Sequence, residues 1–242
     1  MLPKINVPTF SLKLPSNNQK IVYRPFQVKE EKILLIAQKS ENVEDQFRSI
    51  KQILKNCVIE PENFEPDNIA SFDLEYMFLK LRSKSVGEIV KVNIVPQERE
   101  GLPAMPFEIN IDELEPTFDK DHTDIITISD NIKIKMRYPT VSDLTKLEGN
   151  GDQDTALFDI LRDSMEIIYV DDTAYQTSDH SQKELDEFIE SLTSSQFASI
   201  QQFFVTLPKI QKEIEYKWVN PEDKNDVYTE KITLQGLISF LS

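Results

Sequence analysis

The chain has 242 residues, 39% hydrophobic and 29% charged, which is enough apolar material for one large folded domain or two small ones. Forty-two acidic against 27 basic residues give a formal net charge of −15. That charge opposes the counterion release that drives contact with phosphate backbones, so nucleic acid is excluded as a main ligand. A single cysteine, Cys57, rules out an internal disulfide and a zinc site made only of thiolates.

No apolar run reaches the roughly 20 residues a bilayer-spanning helix needs, and the opening MLPKINVPTF lacks a charged head followed by an apolar middle. Folding in the cytoplasm, with no membrane span, is the expectation. Phe10, Leu12 and Leu14 alternate with Ser11 and Lys13, and Pro15-Ser16-Asn17-Asn18 supplies turn chemistry before Ile21-Val22-Tyr23. This predicts a β-hairpin. Pro25 stops the return strand and Val28 starts a helix with Glu30 and Glu31 at its N-terminus and Ile33, Leu34, Ile36 and Ala37 as its apolar residues. A second helix carries Val43, Phe47, Ile50, Leu54 and Cys57 at the spacing of one buried face, so Cys57 reads as a small core residue rather than a nucleophile. Pro61, Pro66 and Asn68 then break the chain.

Residues 72–90 form the centre of the pattern. On a helix, Leu74, Met77, Phe78 and Leu81 make one apolar stripe, while Phe72, Tyr76 and Leu79 make a second on roughly the opposite side. Such a helix needs cover on both faces. The preceding helices supply one layer and the C-terminal helices are the candidate for the other; a partner protein docked on the second stripe is the alternative. Narrow polar seams, Asp73, Lys80 and Lys84 on one side and Glu75 and Arg82 on the other, separate the stripes. Ser85-Val86-Gly87 hands the chain to a β-rich run, since glycine permits the backbone geometry that ends a helix.

Val90, Val92 and Ile94 alternate with Lys91 and Asn93, and Phe107, Ile109 and Ile111 alternate with Glu108 and Asn110, which predicts a paired ribbon with its tip between Pro96 and Pro106. A second pair, 124–129 and 132–138, joins at Asp130-Asn131, with Ile132, Ile134 and Met136 facing one way and Lys133, Lys135 and Arg137 the other. Gly149-Asn150-Gly151-Asp152 is the best boundary. It divides an N-terminal α+β region, 1–148, with helices over about 27–84 and a β insertion over about 86–138, from a mostly helical region, 153–242. In the latter, Leu157, Ile160, Leu161, Met165 and Ile168 predict one helix, and Leu185, Phe188, Ile189 and Leu192 another, opened by a Ser181/Glu184 capping box. Thr193 to Gln196 opens a third, with Phe197, Ile200, Phe204 and Leu207 as its stripe and Pro208 as its end. A last ribbon follows, with Ile214, Tyr216 and Trp218 on one strand, a loop at 220–226, and Tyr228, Ile232 and Leu234 on the return. The apolar tail Leu237-Ile238-Ser239-Phe240-Leu241, a final helical turn, packs back or docks on a neighbour. The fold class is α+β, with helical N-terminal and C-terminal regions and antiparallel β-ribbon insertions.

No active-site pattern stands out. Five glycines offer neither a phosphate loop nor a dinucleotide fingerprint. The acids Asp112, Glu113, Glu115, Asp119, Asp121 and Asp124 lack the ligand order and glycine of an EF-hand and read as a solvated loop, and Asp171-Asp172 reads as a polar stop rather than a catalytic pair. No catalytic residue, metal ligand or cofactor is assigned. A hydrolase using Cys57 or a carboxylate pair stands as an alternative from another class.

Tyr23-Arg24-Pro25-Phe26, Lys29-Glu30-Glu31-Lys32, Ser83-Lys84-Ser85-Val86-Gly87-Glu88, and Phe203-Phe204 with Leu207-Pro208-Lys209 are the most specific pieces of longer stretches at 9–40, 79–92, 192–210 and 236–241. In that order they resemble the baseplate hub protein family of T-even-type contractile-tailed phages. The resemblance implies a nonenzymatic virion component or assembly factor of the baseplate hub, present in the host cytoplasm during assembly and then in the tail baseplate. Its implied partners are other hub and wedge proteins, with no small-molecule substrate. A chaperone absent from the finished tail is the alternative within that family. Phe107, Tyr216, Trp218, Tyr228, Leu237, Ile238, Phe240 and Leu241, on the ribbons and tail, are the candidate partner-binding residues. Many members of the family carry zinc-knuckle-like cysteine pairs at the ribbon tips corresponding to 90–111 and 213–234. Prolines, acids and asparagine stand there in this chain, so zinc is not carried over, and Trp218, Tyr216 and Phe107 are the side chains able to replace a metal's crosslink.

Overall fold

A computed structural model describes residues 6–40, 42–96, 98–99, 101–149 and 153–240. The chain opens with the hairpin β1 (Phe10–Lys13) and β2 (Lys20–Tyr23), whose turn includes Asn18 at φ 59°. Two helices follow, α1 (Val28–Gln38) and α2 (Val43–Cys57), and α2 runs directly into β3 (Val58–Glu60), which adds to β2. Sequence periodicity did not predict β3, because three residues carry too little pattern.

α3 (Ser71–Ser85) is the two-sided helix of the sequence. Leu74, Met77, Phe78 and Leu81 are buried on one stripe, and Phe72 and Leu79 on the other. Even its polar seams are covered, with Asp73, Lys80 and Arg82 buried. Hydrogen bonding makes such burial tolerable, as at Asp73 and Lys80. The Ser16 N–H donates to Asp73 Oδ1 at 3.1 Å and the Ser16 hydroxyl to its other oxygen, which fixes the hairpin turn on α3. Lys80 Nζ donates to the Asp112 carbonyl and to Glu115 Oε1. Gly87, at φ +142°, turns the chain into β4 (Ile89–Ile94), a conformation that side chains rarely allow. β4 pairs with β5 (Met105–Asn110) as the expected ribbon, with Val90 opposite Ile109 and Val92 opposite Phe107.

A four-stranded antiparallel sheet comes next, in the order β6 (Ile125–Thr127), β7 (Ile132–Met136), β8 (Met165–Val170), β9 (Thr173–Gln176). Between β7 and β8 lie α4 (Val141–Gly149) and α5 (Gln153–Ser164), and after β9 come α6 (Gln182–Glu190) and α7 (Ser194–Val205). Ser181 with Glu184 and Thr193 with Gln196 form the two expected capping boxes. Ile126, Ile134, Met136, Leu161, Ile200 and Phe203 belong to one core in which the helices cover one face of the sheet. The chain closes with the ribbon β10 (Gln211–Val219) and β11 (Val227–Gln235), then a 3-10 turn at Leu237–Phe240.

One helix expectation is overturned. Met165 and Ile168 lie on β8, not on a continuation of α5, and Leu157 is exposed. The run Met165-Glu166-Ile167-Ile168-Tyr169-Val170 is β-branched and aromatic, and β7 offers it a partner from Ile132 to Met136. Pairing decides over a helical period that these residues also satisfy. Asp171-Asp172, expected as a polar stop, is the β8–β9 turn, with Asp171 at φ 50°.

The architecture is α+β, with seven helices and eleven strands in small antiparallel sheets among the described residues. It falls into two compact units that interleave along the chain. One comprises Met1–Pro66, Phe72–Thr117 and Lys209–Ser242, the other Asp67–Ser71 and Phe118–Pro208. Thr117 and Lys209, where the chain leaves and re-enters the first unit, are joined by reciprocal backbone hydrogen bonds of 2.9 and 3.2 Å. Three of the four residues proposed as a linker, 150–152, lie outside the described residues. No described helix is long and apolar enough to cross a membrane.

Candidate partner-binding surface

Alternation on β10 directs Tyr216 inward, where it is fully buried between the two ribbons. Its ring packs against Phe107 of β5 at 6.4 Å between centroids and meets Tyr228 of β11 edge-on at 6.2 Å. Tyr216 is fully buried, and its hydroxyl donates to the Pro103 carbonyl at 2.8 Å, so the tip of the first ribbon is held by the second. A buried phenol needs such an acceptor.

Above this contact lies a charged one. Arg99 donates from both terminal nitrogens to the two oxygens of Asp226, each at 2.9 Å, and its guanidinium stands 5.6 Å from the Trp218 ring centroid and 5.9 Å from that of Tyr228. Asn220 Nδ2 also donates to Asp226, at 3.0 Å. The Arg99 fork, and then the amide, hold the Asp226 carboxyl down from 3.8 to about 2. Sequence reading missed Arg99 and Asp226. The available signal is a lone cation in the acid-rich tip Glu98-Arg99-Glu100 and an asparagine and aspartate closing the loop 220–226.

The candidate residues therefore divide. Phe107, Trp218 and Tyr228 are half-buried and join the ribbons to each other. Tyr216, Leu237 and Phe240 are core residues, and Ile238, 40% exposed, is the tail side chain that reaches the surface. Leu241 lies outside the described residues. Gly236, at φ 76°, turns the tail back, and the Leu237 backbone opposes the upward push of burial on the Glu75 carboxyl of α3. Val219 and Val227, opposite each other at the end of the second ribbon, are 43% and 49% exposed.

The phage-like sequence motifs also acquire a role. Arg24 forks onto Glu30 at 3.1 and 3.2 Å, donates to the Asn56 carbonyl at 2.9 Å and lies 3.7 Å from Cys57 Sγ, tying β2, α1 and α2 together. Ser85 Oγ accepts from the Phe26 N–H at 2.8 Å. Ser83 and Lys84 donate to Asp112 at 2.7 and 2.8 Å, which holds that carboxyl below its usual range, Lys84 contributing most. The acidic stretch is thus not wholly solvated, because Asp112 and Glu115 answer the lysines of α3. Phe203 is in the core of the second unit. These spacings specify packing.

Cys57 is fully buried, and burial pushes its thiol up to about 12 against the opposing pull of Arg24. Among the described residues no group of three His, Cys, Asp or Glu side chains is placed to share a metal ion.

What emerges is a mixed α+β scaffold whose side-chain clusters hold one element to the next. The family model described as T4 bacteriophage base plate protein matches residues 7–242, and the chain belongs to that family. No curated protein and no solved structure matches it.

Proposed function

We propose that the chain is a structural or assembly protein of the baseplate hub and works by binding other hub or wedge proteins, without catalysis. Family membership over 7–242 is the observation that carries this reading. The locked ribbons support it, because a rigid pair of β-ribbons presents its surface with little ordering entropy left to lose on association. The exposed ends Val219 and Val227, the half-buried Trp218 and Phe107, and Ile238 beside them in sequence order on the tail are the proposed contacts. Leu237 and Phe240 serve instead to seat the tail. The partners meet the chain in the host cytoplasm during assembly.

Quantitative mass spectrometry of purified phage particles tests the structural form of this proposal. A fixed, stoichiometric copy number per tail is expected of a subunit; absence from the particle assigns the chain to transient assembly instead.

A further inference from the structure

The sheet of the second unit ends on β6, and the parity of the ladder defines which backbone groups face outward there. The Met136 N–H donates to the Asp124 carbonyl at 2.7 Å and the Ile128 N–H to the Ile132 carbonyl at 2.9 Å, with Ile126 opposite Ile134 between them. Residues 124, 126 and 128 are therefore the ones bonded to β7, and Ile125 and Thr127 turn their N–H and C=O groups away from it. The Thr123 hydroxyl answers both groups of Ile125, at 3.2 and 3.3 Å. No described residue hydrogen-bonds the backbone of Thr127.

Alongside this open edge runs α7, and between them lies a groove of about 550 Å³. Phe203 and Thr206 also line it, and the rest of the helix wall is Ser195, Ala198, Ser199 and Gln202. Their short or flexible side chains leave a backbone room to approach β6 at the roughly 4.8 Å spacing of paired strands. The twelve residues of α7 extend about 18 Å, the length of about five extended residues. Asp121 is the charged residue of the lining, and its loop holds Asp119 and Asp124 against Lys120, so a basic side chain complements that end.

We propose that this groove receives an extended segment of a partner protein as a fifth strand on β6, a segment with alternating β-branched residues and a Lys or Arg placed at Asp121. The backbone of Thr127 supplies pairing, and α7 selects small side chains. This deepens the reading of the chain as a baseplate binding protein and rests on it for the partner's identity, not for the chemistry of the groove.

The test uses the full chain and a fluorescein-labelled peptide, Lys-Val-Thr-Val-Thr-Val, followed by anisotropy, with amide hydrogen exchange read at Thr127. Saturable binding and slowed exchange of that amide are expected. Thr127→Pro deletes the outward N–H without touching the ladder to β7, and Ala198→Phe fills the groove; each should weaken binding about tenfold or more, the worth of one lost hydrogen bond or more. Replacing the peptide lysine with glutamate should weaken it further at low salt. If Thr127→Pro fails to fold, Ala198→Phe decides. The proposal is overturned by absent saturable binding, by undiminished binding to the folded variants, or by a dimer of the chain itself that Ala198→Phe abolishes. A failed peptide leaves the baseplate reading intact, whereas a bound peptide with no baseplate complex overturns that reading alone.

Discussion

Glu75 lies on α3 with its carboxyl pushed up by burial to about 7, while the Leu237 amide pulls it the other way. Between its ordinary value of 4.5 and about 7 the folded chain holds a proton that the unfolded chain has released. Stability from this group is therefore full below pH 4.5 and lost as pH rises towards 7. Glu75→Gln should remove that slope and stabilise the protein by up to about 3 kcal/mol above pH 7, as read by denaturant melts at pH 5 and 8; an unchanged pH slope would show the carboxyl to be solvated. At Cys57 burial governs reactivity. A thiol titrating near 12 carries almost no thiolate at neutral pH, and the side chain is fully buried. A thiol reagent should leave the native protein unlabelled and label it once per chain in denaturant; labelling of the native state would revive the hydrolase reading.

At the scale of elements, the two ribbons are joined through Tyr216 and through the Arg99–Asp226 fork. Arg99→Ala should raise the Asp226 carboxyl from about 2 back towards 3.8. The sign follows from that depression: the fork's contribution is present above pH 3.8 and fades as pH falls towards 2. Carbon-detected NMR titration of the Asp226 carboxyl would read this directly, and an unmoved value would remove Arg99 as the cause. Tyr216→Ala, which empties a fully buried site, should cost about 3–5 kcal/mol in a denaturant melt, whereas Tyr216→Phe should cost about 1 kcal/mol. Such elements differ in how legible they were. The β4–β5 ribbon followed from strict alternation, and both capping boxes from Ser181/Glu184 and Thr193/Gln196, because those signals are local. β8 was hidden, since Met165 and Ile168 fit a helical period and only the distant edge of β7 makes them a strand. Tyr216 and Trp218 were legible as large apolar residues on a ribbon, but their direction, towards the first ribbon, depends on Arg99 and Pro103 more than 110 positions away.

For the whole molecule, the chain passes from one compact unit to the other and back, with Thr117 and Lys209 bonded at the crossing. The sequence pattern suggests a boundary at 149–152, where composition changes, and composition cannot register such an interleaving because its pairings are long-range. Within the unit of α3, Phe26 packs on Phe78 at 6.0 Å between ring centroids, and Lys80 of the polar seam donates to the 112–115 segment. The helices α5, α6 and α7, offered by the sequence as a candidate second layer for α3, contribute to a core with the four-stranded sheet of their own unit. The ribbons and β6 are the proposed surfaces for partners. Co-expression with each hub and wedge protein of the same phage, followed by size-exclusion chromatography with mass measurement, addresses the binding role most directly. We predict a discrete complex with at least one of them, lost when Val219 and Val227 are both changed to Asp in a chain that still folds. Elution of the unaltered chain alone beside every one of them would contradict it.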